Sequence, residues 1–445
     1  MRALYERLTN HRRLGPLIRS QLARNTGWTL AGQAGRVVVQ LLYFVLVGRA
    51  LGVSGFGELS GALALTYILV PFATWGSGNV MVMQVARDRS RFAVSWGNAL
   101  LIVVGAGTLA LLATVLVRGT VLHNLPLQLV LLLGVAEFYF GRLIDLSSRA
   151  FQAVDQLQFS AALNLLPYLS RSIAAVLFVT LQDGTRAVDW GWWYLGGTAV
   201  GAVLACGMVV QRLGFPRFRP REIRGTLTDG WYFSISLAAG SIYSDIDKTM
   251  LAQLSTLRAT GIYTAAYRVL NITMLPVRSL MYASYSPFFK RGAQGVSAAT
   301  AFGRQLLPFA AGYGLLVSGG LLLFAPLVPV VLGSEYESAV TALRWLALVP
   351  LCNSLHTLAA NVLTGAGFQR VRSIAQVGLA VFNVGLNLWL IPAYSWRGAA
   401  WATLATEALL AVTLWGTILL LRRRELAQRA ADNRGGTGTT TMARQ

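Results

Sequence analysis

Twelve charged side chains fall within stretches of this chain that are otherwise apolar enough to cross a bilayer. The cations are Arg36, Arg142, Arg171, Lys248, Arg268, Arg278 and Arg344, and the anions are Glu137, Asp145, Asp245, Asp247 and Glu407. The densest group lies in SIYSDIDKTMLAQL (241–254), where Asp245, Asp247 and Lys248 fall within four residues. A charge at mid-bilayer costs about 2.5–3.5 kcal/mol even on the lenient insertion scale. Twelve such groups facing lipid would cost roughly 30–40 kcal/mol, more than the net stability of any fold. These groups therefore face an interior, pair, or snorkel. Two chemistries suit them. Guanidinium forks grip phosphate oxygens bidentately and stay charged at any cellular pH, and a membrane carboxylate can take up and release H+ or Na+.

Helical rise sorts the pairs from the remainder. In an antiparallel hairpin, residues equally far from the turn lie level, at about 1.5 Å per residue. Asp245 falls level with Arg268, and Glu137 with Arg171, so both are expected as neutralising pairs. Arg142 and Asp145 are i,i+3 neighbours on one helix. Arg36 and Arg278 find no acid at their depth. Lys248 can share Asp245, which leaves Asp247 with the least obvious partner and makes it the first candidate for ion coupling.

The elements that must position these groups are membrane helices. Of 445 residues, 55% are hydrophobic and only 12% charged, about half the charge of a soluble protein. Apolar runs near 26–48, 57–79, 94–117, 125–148, 159–181, 189–210, 230–252, 260–288, 305–332, 337–364, 373–393 and 398–421 are each long enough to span a ~30 Å core. The chain is all-α and polytopic, with about twelve crossings. The net charge of +21 is explained by topology: 26 Lys and Arg lie in alternate connections and the termini, against five in the other connections. This positive-inside pattern places both termini in the cytoplasm and excludes nucleic acid as the reason for the basic balance. Attraction of anionic lipid headgroups to RFRPREIR (217–224) is a secondary expectation. The segments read as a basic terminus (1–25), a first lobe (26–210), a basic linker (211–229), a second lobe (230–421) and a disordered tail (422–445). Cys206 and Cys352 both lie within spans and imply no disulfide framework. No cleavable signal is evident.

The two halves echo each other. GRALGVSGFGELSGALAL (48–65) lies over AQLSTLRATGIYTAAYRV (252–269) at an offset of 204, which matches Gly57 to Gly261. RAFQAVDQLQF (149–159) lies over NVLTGAGFQRV (361–371), and WGWWYLGG (190–197) over RGAAWATL (397–404), at similar offsets. Two parallel halves with a site between them are a transporter plan. ARNTGWTL, GRALGVSGFGELSGALAL, DKTMLAQLSTLRATGIYTAAYRV and LIPAYSWRGAAWATLATE, in this order over about residues 20–421, resemble the polysaccharide transporter (O-antigen flippase) family. That family belongs to the multidrug/oligosaccharidyl-lipid/polysaccharide superfamily, with multidrug extruders and lipid II flippases. The resemblance implies a MATE-like fold of two six-helix lobes around a central cavity, with spans one, two, seven and eight lining it, in a bacterial cytoplasmic membrane. It also implies movement of a polyprenyl-diphosphate-linked oligosaccharide across the bilayer, with polysaccharide polymerase or assembly proteins as possible partners.

On that footing Arg36 and Arg278 are expected on the diphosphate, with Lys248 and Arg268 nearer the outer side. Asp247, Asp245, Glu137 and Asp145 are expected in ion coupling or charge pairing. Tyr263, Tyr267, Asn271, Tyr43 and Tyr67 could meet a sugar, though Tyr and Trp also populate membrane interfaces. Pro71 and Pro276 are expected to break helices two and eight. Cys352 and His356 are i,i+4 but make only two ligands, so no metal is expected. No nucleotide loop or hydrolase motif occurs, no cofactor is implied, and the chain does not read as an enzyme. The alternatives are a multidrug or cation exporter, which the cationic interior disfavours, and a non-transporting scaffold of a glycan assembly complex.

Overall fold

The computed structural model describes residues 15–120, 123–182 and 186–436. Arg36 lies on the first helix; its side chain falls outside the described residues, as do those of Tyr282 and Tyr285. The described chain is helical throughout. The first lobe comprises α1 (Gly15–Thr74), α2 (Ser77–Arg87), α3 (Phe92–Thr120), α4 (Leu127–Val135), a π-helical turn (Ala136–Gly141), α5 (Arg142–Ala153), α6 (Leu157–Leu181) and α7 (Ala187–Leu213). The second comprises α8 (Ile223–Leu254), α9 (Leu257–Thr273), α10 (Leu275–Gly292), α11 (Val296–Phe324), α12 (Leu327–Leu332), α13 (Glu337–Leu346), α14 (Val349–Gly365), α15 (Gln369–Tyr394) and α16 (Trp396–Gly436).

Eight described helices are long and apolar enough to cross a membrane, or nine if α13 and α14 form one bent span. The run Val37–Arg87 counts once there, although Gly52 (φ 62°, ψ 178°) folds α1 into two arms, 15–51 and 53–74. The charged α8 and the broken α9–α10 helix fall outside that count. With these included, the architecture is consistent with about twelve crossings in two lobes.

The lobes meet along α1, which packs against both α8 and α9, while α2 packs against α8. Gly57 and Gly261, the pair matched by the internal repeat, touch directly. A Cβ on Gly57 would lie 1.7 Å from the Leu257 carbonyl oxygen, and one on Gly261 would lie 1.9 Å from that of Val53. Only glycine lets the two backbones approach so closely. This contact belongs to the far end of the molecule, opposite the basic connections. There one apolar core runs through both lobes and includes Phe44, Leu59, Leu251, Ile262, Leu332 and Tyr336. Toward the basic end the core divides. One part, around Trp96, Phe151 and Val209, belongs to the first lobe, and the other, around Met281, Phe288 and Leu363, belongs to the second. The lobes are thus joined at the far end and separately packed at the basic end.

Both predicted helix breaks have counterparts, and one is displaced. Helix eight breaks at Met274, just before Pro276, and the freed Thr273 carbonyl accepts from the Tyr313 hydroxyl at 2.6 Å. Pro71 stays inside α1, and the chain breaks later, at Trp75 (φ 46°) and Gly76 (φ 63°). The reason is a close contact: a Cβ on Gly76 would lie 2.4 Å from the Gly230 carbonyl oxygen, and Trp75 Nε1 donates to the Leu227 carbonyl at 3.1 Å. The left-handed glycine, not the proline, sets this bend.

Gly261→Ala should lower the thermal stability of the detergent-purified protein by several degrees, since overpacking a closed backbone contact costs about 1–3 kcal/mol or more. Gly105→Ala, where nothing lies within 4 Å, should leave melting unchanged. Equal melting of the two variants would contradict the contact.

Candidate functional site

Glu137 organises the first lobe. It lies in the π-turn between α4 and α5 and is buried, with its side chain only 2% exposed. Arg171 Nη2 of α6 donates to Glu137 Oε1 at 2.5 Å, and the Tyr194 hydroxyl of α7 donates to the same oxygen. Arg142 Nη2 stands 3.7 Å from Glu137 Oε2, while its Nε donates to the Glu137 carbonyl at 3.3 Å. The wide turn of a π-helix supplies this last bond, because it brings the Arg142 side chain back over the preceding turn. Arg171 also stacks on the Tyr194 ring at 4.4 Å.

These groups line a cavity of about 400 Å³ together with Tyr43 and Tyr67 of α1, Asp145 of α5 and Arg268 of α9. Arg268 comes from the second lobe, which makes the cavity an inter-lobe site. A second space of about 200 Å³ adjoins it and shares Arg142 and Asp145; it is also lined by Arg149, Asn79 and Ser241. Asp145 Oδ2 accepts from Arg149 Nε at 2.9 Å, and Arg149 Nη1 donates to Asn79 Oδ1 at 2.5 Å. Four arginines therefore face two carboxylates across the two spaces, an electropositive site in a low-dielectric setting.

Two expected pairs are corrected. Asp145 pairs with Arg149 rather than Arg142, because the π-turn directs Arg142 back to Glu137. Asp245 pairs with Lys248 (3.2 Å) rather than with Arg268. Depth alone matched Asp245 to Arg268, but Arg268 points around α9 into the first lobe's cavity and has no ion-pair partner among the described residues. The pair Glu137–Arg171, read from depth, is formed.

The second lobe holds a separate cluster. Lys248 Nζ lies 3.2 Å from Asp245 and 3.3 Å from Asp247, donates to the Ser244 carbonyl, and sits 4.3 Å from the Tyr267 ring centroid. Tyr263 donates to Asp247 Oδ2 at 2.5 Å and meets the Thr403 hydroxyl at 3.0 Å. Asp247 and Lys248 are only 5% and 7% exposed. Asp247, expected in ion coupling or charge pairing, and Lys248, expected near the substrate, are therefore both enclosed and line neither space. The aromatic pair Tyr263–Tyr267 closes over them, and Tyr263, considered above for sugar contact, is fully buried as the carboxylate's donor. Arg278 also differs from expectation: it is exposed, donates to Asn271 Oδ1 at 3.3 Å, and does not line either space. Glu407, buried on α16, lies 2.7 Å from His356 Nε2 and 3.3 Å from Asn353 Nδ2. The described residues contain no group of three metal-binding side chains.

Sequence reasoning placed Arg171, Tyr43 and Tyr67 on the right helices but read Arg171 only as a neutraliser. Tyr194, Arg149 and Asn79 were missed. WGWWYLGG (190–197) looks like an interfacial aromatic run, and nothing in it marks Tyr194, rather than the equally buried Trp190, as the residue that reaches Glu137.

A family described as polysaccharide biosynthesis protein matches residues 22–292, more than half of the chain. The chain belongs to this family. The probable low-salt glycan biosynthesis flippase Agl15 of Haloferax volcanii is 26% identical over 233 residues, which cover 51% of this chain and 48% of that protein. The chain spans about half the length of the curated relatives it matches. Two solved structures share the fold. An inward-facing multidrug resistance MATE transporter of the MOP superfamily superposes with a TM-score of 0.71 at 15% identity, covering 86% of this chain and 96% of that one. Lipid II flippase MurJ, inward closed, superposes with 0.72 at 12% identity, covering 87% and 86%. The chain shares the fold of these two structures.

Removing the hub carboxylate should cost stability rather than only activity. Glu137→Ala leaves Arg171 buried and unpaired, a loss of about 3–5 kcal/mol, and Glu137→Gln should lose less because it keeps an acceptor. The double variant Glu137→Met/Arg171→Met should recover most of the loss. Denaturation of purified protein in detergent checks the order of the three variants.

Proposed function

We propose that this protein is a flippase that moves a polyprenyl-diphosphate-linked oligosaccharide across a bacterial cytoplasmic membrane for surface polysaccharide assembly, with both termini in the cytoplasm. The observation that carries the reading is the inter-lobe cavity with Arg142, Arg171 and Arg268 on its wall and too few acids to neutralise them. A diphosphate supplies the missing negative charge, and guanidinium groups bind its oxygens in pairs. Arg268 is the pivotal ligand because it has no ion-pair partner among the described residues and belongs to the opposite lobe. A headgroup held between it and Arg171 joins the lobes, so its arrival and departure bias their rocking. Tyr43 and Tyr67 offer stacking faces and hydroxyls to the first sugar. The apolar tail stays in lipid. Membership of a polysaccharide biosynthesis family and likeness to a probable glycan flippase support this reading.

A cationic drug would meet Arg142, Arg171 and Arg268 as like charges, which disfavours the exporter reading. Among the coupling candidates, Asp145 takes precedence over Asp247. It lines both spaces with its side chain 33% exposed, where H+ or Na+ can reach it, whereas Asp247 is enclosed.

In cells lacking the gene, complete lipid-linked repeat units should accumulate on the cytoplasmic leaflet, as read by a membrane-impermeant glycan probe, and restoring the gene should release them. Arg268→Ala should restore export at least about tenfold less well than wild type, the worth of a charged hydrogen-bond pair, while its melting temperature stays within a few degrees. Normal export by that variant would remove Arg268 from the site. Normal outward glycans in the deletion strain would refute the substrate.

A further inference from the structure

The basic linker between the lobes carries a surface that neither the cavity nor the fold explains. Between α7 and α8 the chain reads GFPRFRPREIR (214–224). Its backbone is pinned to the start of α3: Arg217 N donates to the Ala93 carbonyl at 2.8 Å, and Arg219 N donates to Asn98 Oδ1 at 2.9 Å. The Arg217 carbonyl lies so close to Gly97 that a Cβ there would be 2.3 Å away. The segment is therefore held in place, yet it turns its largest apolar side chains outward. Phe215 is 78% exposed and Phe218 54% exposed. Arg217, Arg219, Arg221 and Arg224 are exposed beside them. The acid on this segment, Glu222, is shared between Arg91 (2.7 Å) and Arg219 (3.3 Å). An excess of positive charge remains around two exposed phenylalanines.

We infer that the 214–224 linker is a docking surface for anionic phospholipid headgroups of the leaflet on the basic side. Its phenylalanines insert at the headgroup–acyl boundary, and its arginines take the phosphates. Three observations select this partner. The surface lies at the ends of membrane-crossing helices, so the bilayer interface is the adjacent phase. Its charge is complementary to an anionic leaflet, where polybasic segments are attracted within a Debye length. Apolar rings interleaved with cations are the pattern of interfacial anchoring, not of a solvated loop.

The consequence reaches the lobes. Just beyond the linker, α8 packs on the bend of the first lobe: Trp75 Nε1 donates to the Leu227 carbonyl, Trp75 and Trp231 ring centroids lie 5.1 Å apart, and a Cβ on Gly230 would lie 2.0 Å from the Trp75 carbonyl oxygen. A linker fixed to the leaflet holds the first turns of α8 against this seam, so leaflet composition bears on how readily the lobes part at the basic end.

The test uses the full chain with Cys206 and Cys352 replaced by serine and an environment-sensitive dye on Phe215→Cys. The protein is reconstituted in phosphatidylcholine vesicles containing about a third phosphatidylglycerol, with brominated acyl chains on one lipid or the other. Brominated phosphatidylglycerol should quench the dye at least twofold more than brominated phosphatidylcholine at equal mole fraction. The difference should vanish in 0.5 M salt and in the Arg217→Gln/Arg219→Gln/Arg221→Gln variant. Equal quenching by the two lipids would show mere proximity to the bilayer and overturn the inference, and so would no quenching by either. A preference that persists in the triple variant would assign the lipid to another basic surface and also overturn it. Competition by inorganic phosphate at millimolar concentration would indicate a soluble anion site instead.

Discussion

The Glu137 carboxylate is the interaction on which the rest of the first lobe depends. A buried carboxylate in a membrane protein is tolerated only when its charge is matched and its lone pairs are occupied. Arg171 and Tyr194 donate to Glu137 from α6 and α7, and the Arg142 guanidinium of α5 stands 3.7 Å away, so one side chain ties these helices together. One carboxylate does not neutralise both Arg171 and Arg142, and Asp145 is taken by Arg149. Arg268 enters from the opposite lobe and has no ion-pair partner among the described residues. The same electrostatics that hold the lobe together thus create the site.

The second lobe follows the opposite course. Its cluster of Asp245, Asp247 and Lys248 is paired within one helix and roofed by Tyr263 and Tyr267. Glu407 lies against His356 on a neighbouring helix. The first lobe lines the cavity with Arg142 and Arg171, and the second encloses its charged cluster but sends Arg268 into the same cavity. This arrangement suits an anionic headgroup that is gripped from both sides and released when the lobes separate.

Much of this was legible in the sequence, for identifiable reasons. Membrane class follows from apolar run length, and the two lobes follow from the basic linker and the internal repeat, which aligns Gly57 with Gly261, the pair in contact. The pair Glu137–Arg171 followed from depth, because axial position on a helix is fixed by residue number. What failed was azimuth. Asp245 and Arg268 are level, but the latter points away, and the π-turn rotates Arg142 from Asp145 toward Glu137. Neither a π-turn nor the bend at Trp75–Gly76 has a local signal as strong as a proline, and so Pro71 drew a break that belongs four residues later. Tyr194 was hidden for a related reason: among neighbouring aromatics only the three-dimensional packing selects the one that reaches Glu137.

The central claim is that an anionic diphosphate neutralises the arginine surplus of the inter-lobe cavity. The most direct measurement is thermal stabilisation of the purified wild-type protein by a short isoprenyl diphosphate, compared with the isoprenol of the same chain. Mass action predicts a rise in melting temperature that grows with diphosphate concentration above its dissociation constant. It predicts little change with the alcohol, and suppression of the rise at high salt. Equal stabilisation by the two compounds would show that only the apolar tail is recognised and would contradict the account.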